Sequence, residues 1–166
     1  QPREATQLIG DLADEVNRRL AAGEQGAEPV FLVIYNLARF RDLKKGDDYS
    51  FDDDEGAAAG TKLATILREG PSVGVHALVW CDSYNNATRW LDRQALRDFE
   101  MRVLFQMSAA DSSNLMDSAA ASKLGNYPAM FYSDERGVAE QFRPYGLPSK
   151  EWLNWVAEKL RESDGT

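Results

Sequence analysis

VFLVIYNLARF, residues 30–40, decides how the rest of the chain is read. Val30 to Ile34 is apolar at every position and rich in β-branched side chains. A strand with one wet face alternates polar and apolar residues, whereas one buried on both faces does not. The run therefore predicts a buried parallel strand over 30–34, with Tyr35-Asn36 at its carboxyl end.

The flanks fit that reading. Upstream, ATQLIGDLADEVNRRL (5–20) places Ala5, Leu8, Ile9, Leu12, Val16 and Leu20 on one helical stripe. Gly23 and Gly26 end it, and Pro29 leads into the strand. Downstream, KKGDDYSFDDDEGAAAG (44–60) has no period and few large apolar groups, which predicts a mobile acidic loop. Asp52, Asp53, Asp54 and Glu55 lack the alternating spacing of a calcium loop, and consecutive carboxylates rarely converge on one ion. A solvated loop is the reading, with a metal-dependent hydrolase built on these residues as a weaker alternative.

Thr61 caps a predicted helix through Glu69, with Leu63, Ile66 and Leu67 on one face, and Gly70-Pro71 breaks it. Val75 to Cys81 reads as a second buried strand. Asn86–Glu100 reads as one helix, with Leu91, Ala95, Leu96 and Phe99 inward. MRVLFQM (101–107) reads as a third strand. Asp111 is placed to cap a helix through Met116, and Asp117 or Ser118 another that ends at Gly125. AMFYS and VAEQFRPY flank the turn DERG and predict a β-hairpin. Pro148-Ser149 opens a last helix, with Trp152, Leu153, Val156 and Leu160 inward and Tyr145, Trp152 and Trp155 as possible anchors. No internal repeat is visible.

Helices alternating with buried strands imply an α/β fold with a mostly parallel sheet. The 166 residues suffice for a single domain, 1–166, with a real core. No apolar run approaches the roughly 20 residues that span a bilayer, and there is no signal-peptide pattern. The single cysteine, Cys81, excludes an internal disulfide and fits a reducing compartment. It has no basic neighbour in sequence and reads as an inert thiol. His76, the single histidine, has no partner for metal binding and reads as a satisfied strand residue.

A net charge of -8 argues against the surface as a whole attracting nucleic acid. A local basic patch remains open, since Arg89, Arg93, Arg97 and Arg102 lie close in sequence. The first three recur every four residues, but Asp92, Asp98 and Glu100 beside them favour an ion-paired, solvated face. In open parallel sheets, ligands sit beyond the carboxyl ends of the strands. Those ends are Tyr35-Asn36, Cys81-Asp82 and Ser108.

The blocks VGVHALVWCD, MRVLFQMSAADSS and AAASKLGNYPAMFY occur in that order. Together they resemble the FtsK/SpoIIIE family of RecA-like translocase ATPases, from about Val30 to Tyr145 and most strongly from Leu67 to Tyr132. The matching residues are Gly74, His76, Arg102, Phe105, Ser108, Asp111, Ser112, Leu124 and Gly125. The family's apolar strand ends in Asp-Glu, which hold magnesium and activate water; here Tyr35 and Asn36 stand there. Cys81-Asp82 replaces a Thr-Gln pair. Pro71 and Ser113 stand where family members carry arginines. No G-x-x-x-x-G-K-[ST] phosphate loop occurs.

The resemblance implies a RecA-like, P-loop NTPase type sheet flanked by helices, with a C-terminal β-hairpin and helix. It makes Tyr35, Asn36 and Asp82 degenerate nucleotide-binding positions, and Arg102, Ser108, Asp111 and Ser112 subunit-interface positions. It implies no catalytic residue and no metal ligand in this chain; Asp111 and Asp82 also suit capping or turn duty.

The chain resembles the later half of a motor module, with an excised segment favoured over a module that has lost its nucleotide half. The missing strand would lie between the Val75 and Met101 strands, so those two are expected to pair directly, or a neighbouring chain to contribute. The implied parent is an ATP-driven translocase of the DNA translocation and segregation class, using ATP and magnesium. This chain would be a structural or regulatory module without ATPase activity, meeting other modules or ring neighbours, and DNA through the parent. It would be cytoplasmic, in a parent that can be membrane-anchored. The alternatives are a stand-alone RecA-like interaction domain and a module of a type VII secretion-like protein-export motor.

Overall fold

A computed structural model describes residues 2–24, 26–43 and 55–163. The chain divides into two compact units, residues 1–100 and 101–166. The α/β class is as expected, with a small parallel sheet and an antiparallel one.

The first unit begins with helix α1 (Pro2–Ala22). Strand β1 (Val30–Tyr35) follows, then two 3-10 turns over 37–43. Helix α2 (Glu55–Glu69) and a 3-10 turn (Gly70–Val73) lead to strand β2 (Val75–Trp80). Strands β1 and β2 pair parallel, from Val30 opposite Val75 to Tyr35 opposite Trp80. Ile9 and Val16 of α1 and Leu63 and Ile66 of α2 share one core with Leu32, Ile34 and Val75.

The stripe on α1 is centred on Ile9, Ala13 and Val16; Leu8 and Leu20 at its margins are exposed. The buried place in the last turn goes to Arg19 instead. Its Nη1 donates to the carbonyls of Glu28 (3.0 Å) and Val73 (3.1 Å), and its Nε donates to Glu15 (2.7 Å). A guanidinium can bury its stem when carbonyls and a carboxylate receive its head.

Helix α2 starts at Glu55, not at Thr61, so the last part of the segment read as a loop is helical. Ala57, Ala58 and Ala59 favour helix more than their lack of large apolar groups suggested. The remainder of that loop reading, with Asp52, Asp53 and Asp54, lies outside the described residues. Gly70 ends α2 where a Cβ would meet the Val75 carbonyl oxygen at 2.6 Å. Gly74 turns into β2 with φ 77°, a left-handed conformation that favours glycine.

The helix read over 86–100 is two helices, α3 (Tyr84–Trp90) and α4 (Arg93–Asp98). Leu91 is extended between them, and the Asp92 carboxylate accepts from the Ala95 amide as the cap of α4. The break separates Arg89 from Arg93 and Arg97, so the three do not form one helical stripe. Leu91 and Ala95 are buried as expected.

In the second unit, strand β3 (Met101–Leu104) pairs antiparallel with β4 (Ala129–Ser133), which pairs antiparallel with β5 (Val138–Phe142). The hairpin is as read. Among the described residues the ladders are β1 with β2 and β3 with β4, and the expected pairing of the Val75 and Met101 strands is not one of them. Helix α5 (Ala109–Met116) is capped by Ser108, whose hydroxyl accepts from the Asp111 amide, so Asp111 sits inside the first turn rather than at the cap. Ser118 caps a 3-10 turn over Ala119–Lys123. Leu104, Met116, Ala121, Leu124 and Met130 form this unit's small core.

Helix α6 (Lys150–Ser163) opens after Ser149 as read. Its apolar face is not inward, however. Trp152, Leu153, Trp155 and Leu160 are exposed, as is Tyr145 before it. Amphipathic spacing specifies a face that wants a partner; it does not supply one.

Candidate functional site

Because β1 and β2 run parallel and end in register, their carboxyl ends bring Tyr35-Asn36 and Cys81-Asp82 to the same edge of the sheet. Tyr35 is exposed and stacks on Trp80, with ring centroids 4.9 Å apart and planes at 18°. Asn36 takes a left-handed backbone (φ 61°, ψ 74°), and its carbonyl accepts from the Arg39 amide to start a 3-10 turn. Asparagine tolerates that conformation better than most residues, which is a local reason for its presence.

Asp82 is exposed, and its Oδ1 accepts from Asn86 Nδ2 (2.8 Å) and Ser83 Oγ (3.3 Å). The Ser83 hydroxyl in turn accepts from the Asn86 amide and caps α3. Asp82 is thus occupied in shaping the first turn of α3. Burial pushes the Cys81 thiol upward from its ordinary pKa, in keeping with an inert side chain packed against the core.

This donor set does not fit a magnesium–nucleotide site. A hard cation wants converging oxygen ligands, usually carboxylates. The edge offers a stacked phenol, an amide and one carboxylate already held by its neighbours. Among the described residues, no group of three or more His, Cys, Asp or Glu is placed to hold a metal. His76 stacks on Phe31 at 5.4 Å.

The other four site residues belong to the second unit. Arg102 donates to the Leu115 carbonyl (2.5 Å) and lies 5.7 Å from the centroid of the Tyr132 ring, tying β3 to α5 and β4. Ser112 is fully buried; its hydroxyl donates to the Ser118 carbonyl (2.5 Å) and accepts from the Ala121 amide (3.1 Å). Ser108 is exposed and Asp111 half-buried. Sequence reasoning missed the internal ties made by Arg19, Arg102 and Ser112. The one available signal was Arg19's place beside the apolar stripe of its helix.

No helix among the described residues is long and apolar enough to cross a membrane. No protein-family model matches the chain, and no curated protein matches it. Among solved structures, the chain is similar to the pCW3 conjugation coupling protein TcpA, in its monomer form with ATPγS. The TM-score is 0.75 at 17% identity, over 97% of this chain and 49% of that one. It is also similar to the cytoplasmic domain of the Thermomonospora curvata type VII secretion ATPase EccC. There the TM-score is 0.49 at 19% identity, over 84% of this chain and 15% of that one. The first likeness establishes a shared fold, of which this chain spans about half the solved length.

Proposed function

We propose that this chain is a degenerate module of an FtsK/SpoIIIE-like ATP-driven translocase, with a structural or regulatory role and no ATPase activity of its own. The observation that carries the reading is the carboxyl edge of the parallel pair. There Tyr35 stacks on Trp80, and Asp82 is spent on α3, where a motor needs a free carboxylate pair. The fold shared with a coupling protein solved with ATPγS and the ordered sequence blocks supply the motor half of the reading.

In this reading ATP and magnesium belong to the parent polypeptide. Tyr35, Asn36 and Asp82 mark where nucleotide chemistry has been lost. Ser108 and Asp111 face a ring neighbour or another module, while Arg102 and Ser112 hold the shape behind them. The polymer moved is DNA, contacted by the parent; the net charge of -8 argues against this module as its main binding surface. The module works in the cytoplasm, where a lone cysteine stays reduced.

The test is magnesium-dependent ATP turnover by the purified chain. The expected result is none above background, unchanged in Asp82→Ala. Turnover abolished by Asp82→Ala would overturn the loss of chemistry.

A further inference from the structure

In the first unit, α2, the end of α3, α4 and the 3-10 turn over 41–43 border an open cleft of about 250 Å³. Leu43, Leu63, Leu67, Trp90, Leu91 and Ala95 give it an apolar lining. Leu63, Leu91 and Ala95 are buried and belong to the unit's core, so its floor is closed. Asp92 is the one charged residue among the described lining, and its carboxylate already accepts from the Ala95 amide (2.8 Å). Small-molecule pockets run to roughly 300–1,000 Å³, so this cleft is short of a nucleotide and suits one protruding side chain.

Cations stand on the same corner. The Trp90 Nε1 donates to the Phe40 carbonyl (2.7 Å), which joins the end of α3 to the turns after β1. That bond gathers Arg89, which precedes Trp90, with Arg39 and Arg41, which flank Phe40. All three arginines are exposed. None is in an ion pair among the described residues, whereas Arg18, Arg19 and Arg68 all are. The ion-paired face that the sequence pattern suggests is therefore not formed at Arg89. Asp82, at the other end of α3, is held by Asn86 and Ser83. Like charges gathered on one corner repel each other until an anion offsets them.

Cleft and cations together select one kind of ligand. A guanidinium fork binds carboxylate and phosphate alike. A nucleic acid brings a phosphate at every step, but it meets a chain of net charge -8 and has no aliphatic side chain for the cleft. A short acidic peptide carries fewer charges against that field and brings both groups. We infer that this corner docks an acidic segment of a partner protein, with one apolar side chain of the segment in the cleft and its carboxylates on Arg39, Arg41 and Arg89. The inference uses neither the strand ends nor the lost nucleotide chemistry, so it stands whether the parent is a motor or an interaction protein.

The probe is a fluorescein-labelled peptide of glutamates around one central leucine, titrated with the full chain and read by fluorescence anisotropy. Saturable binding with a Kd on the order of 10 μM is expected. It should weaken about tenfold in Arg41→Glu and in Arg89→Glu. Both side chains are exposed, so the variants keep the fold, which thermal melting by circular dichroism checks. Replacing the peptide's leucine by alanine should also weaken binding about tenfold, because the cleft loses its occupant. Binding that survives both arginine reversals, or that is equal for the alanine peptide, would overturn the inference. So would no saturation at about 1 mM peptide. A single-stranded oligonucleotide of equal charge that binds more tightly at the same ionic strength, and weakens in the same variants, would assign the corner to nucleic acid and overturn it too.

Discussion

Within one strand, Leu32 and Ile34 keep 7% and 4% of their surface exposed, while Phe31, Val33 and Tyr35 between them keep 60%, 69% and 67%. These are residues of the same character with opposite surroundings. Hydrophobicity specifies that both faces of this strand are made to be covered. It does not say by which segment. The helices carried in the first unit cover one face, and the other keeps Phe31, Val33 and Tyr35 exposed. A similar split recurs in the second unit, where Leu104 and Met130 are buried and the apolar face of α6 is bare.

The sharpest way to break this comparison is to truncate one residue on each face. Ile34→Ala should lower the free energy of unfolding by about 3 kcal/mol, since it removes a packed side chain and leaves a cavity. Val33→Ala in the same chain should cost under about 1 kcal/mol. Urea denaturation of both variants decides it, and equal losses would mean that the outer face is packed.

Gly70→Ala probes how tightly the covered side closes. A methyl group there runs into the Val75 carbonyl oxygen, so a loss of about 2 kcal/mol is expected by thermal melting. A neutral result would mean that the turn between α2 and β2 can shift.

Ser112→Ala carries the comparison to the second unit. It leaves the Ser118 carbonyl and the Ala121 amide without their bonds and should cost about 1 kcal/mol. Amide exchange should locate that loss in residues 101–142 and leave β1 unchanged. A loss spread over both units would show them to be energetically one.

The smallest effect is electrostatic. Hydrogen bonds from Arg18 and then Arg19 hold the Glu15 carboxyl at a pKa of about 2, against an ordinary 4.5. A depressed folded-state pKa contributes stability that is present above 4.5 and is lost as pH falls toward 2. Glu15→Gln should therefore flatten the dependence of melting temperature on pH in that window and leave it unchanged between pH 5 and 8. Salt should shrink the effect, because the Arg18 side of the pair is exposed.

Much of the candidate edge was legible in the sequence. The run 30–34 and the run beginning at Val75 place Tyr35, Asn36 and Asp82 at strand ends without any coordinates. The roles of Asn36 and Asp82 were less so, because a left-handed turn and a helix cap are local geometry that a motif comparison does not carry. Ser112 illustrates the same limit: the resemblance marked its position but not the turn that its hydroxyl closes inside its own unit.

What the sequence determined by itself was the α/β class, the two parallel strands, the hairpin, and the existence of apolar faces on β1, β2 and α6. These follow from periodicity and turn chemistry, which act over a few residues at a time. The tertiary structure decided that α1, α2 and α4 build on one face of β1–β2, that β3 joins the hairpin, and that Arg19 takes the buried place in the last turn of α1 that Leu20 does not. Those outcomes depend on which surfaces meet across long sequence separations. Where several apolar surfaces compete for too few partners, no local pattern can say which one stays open.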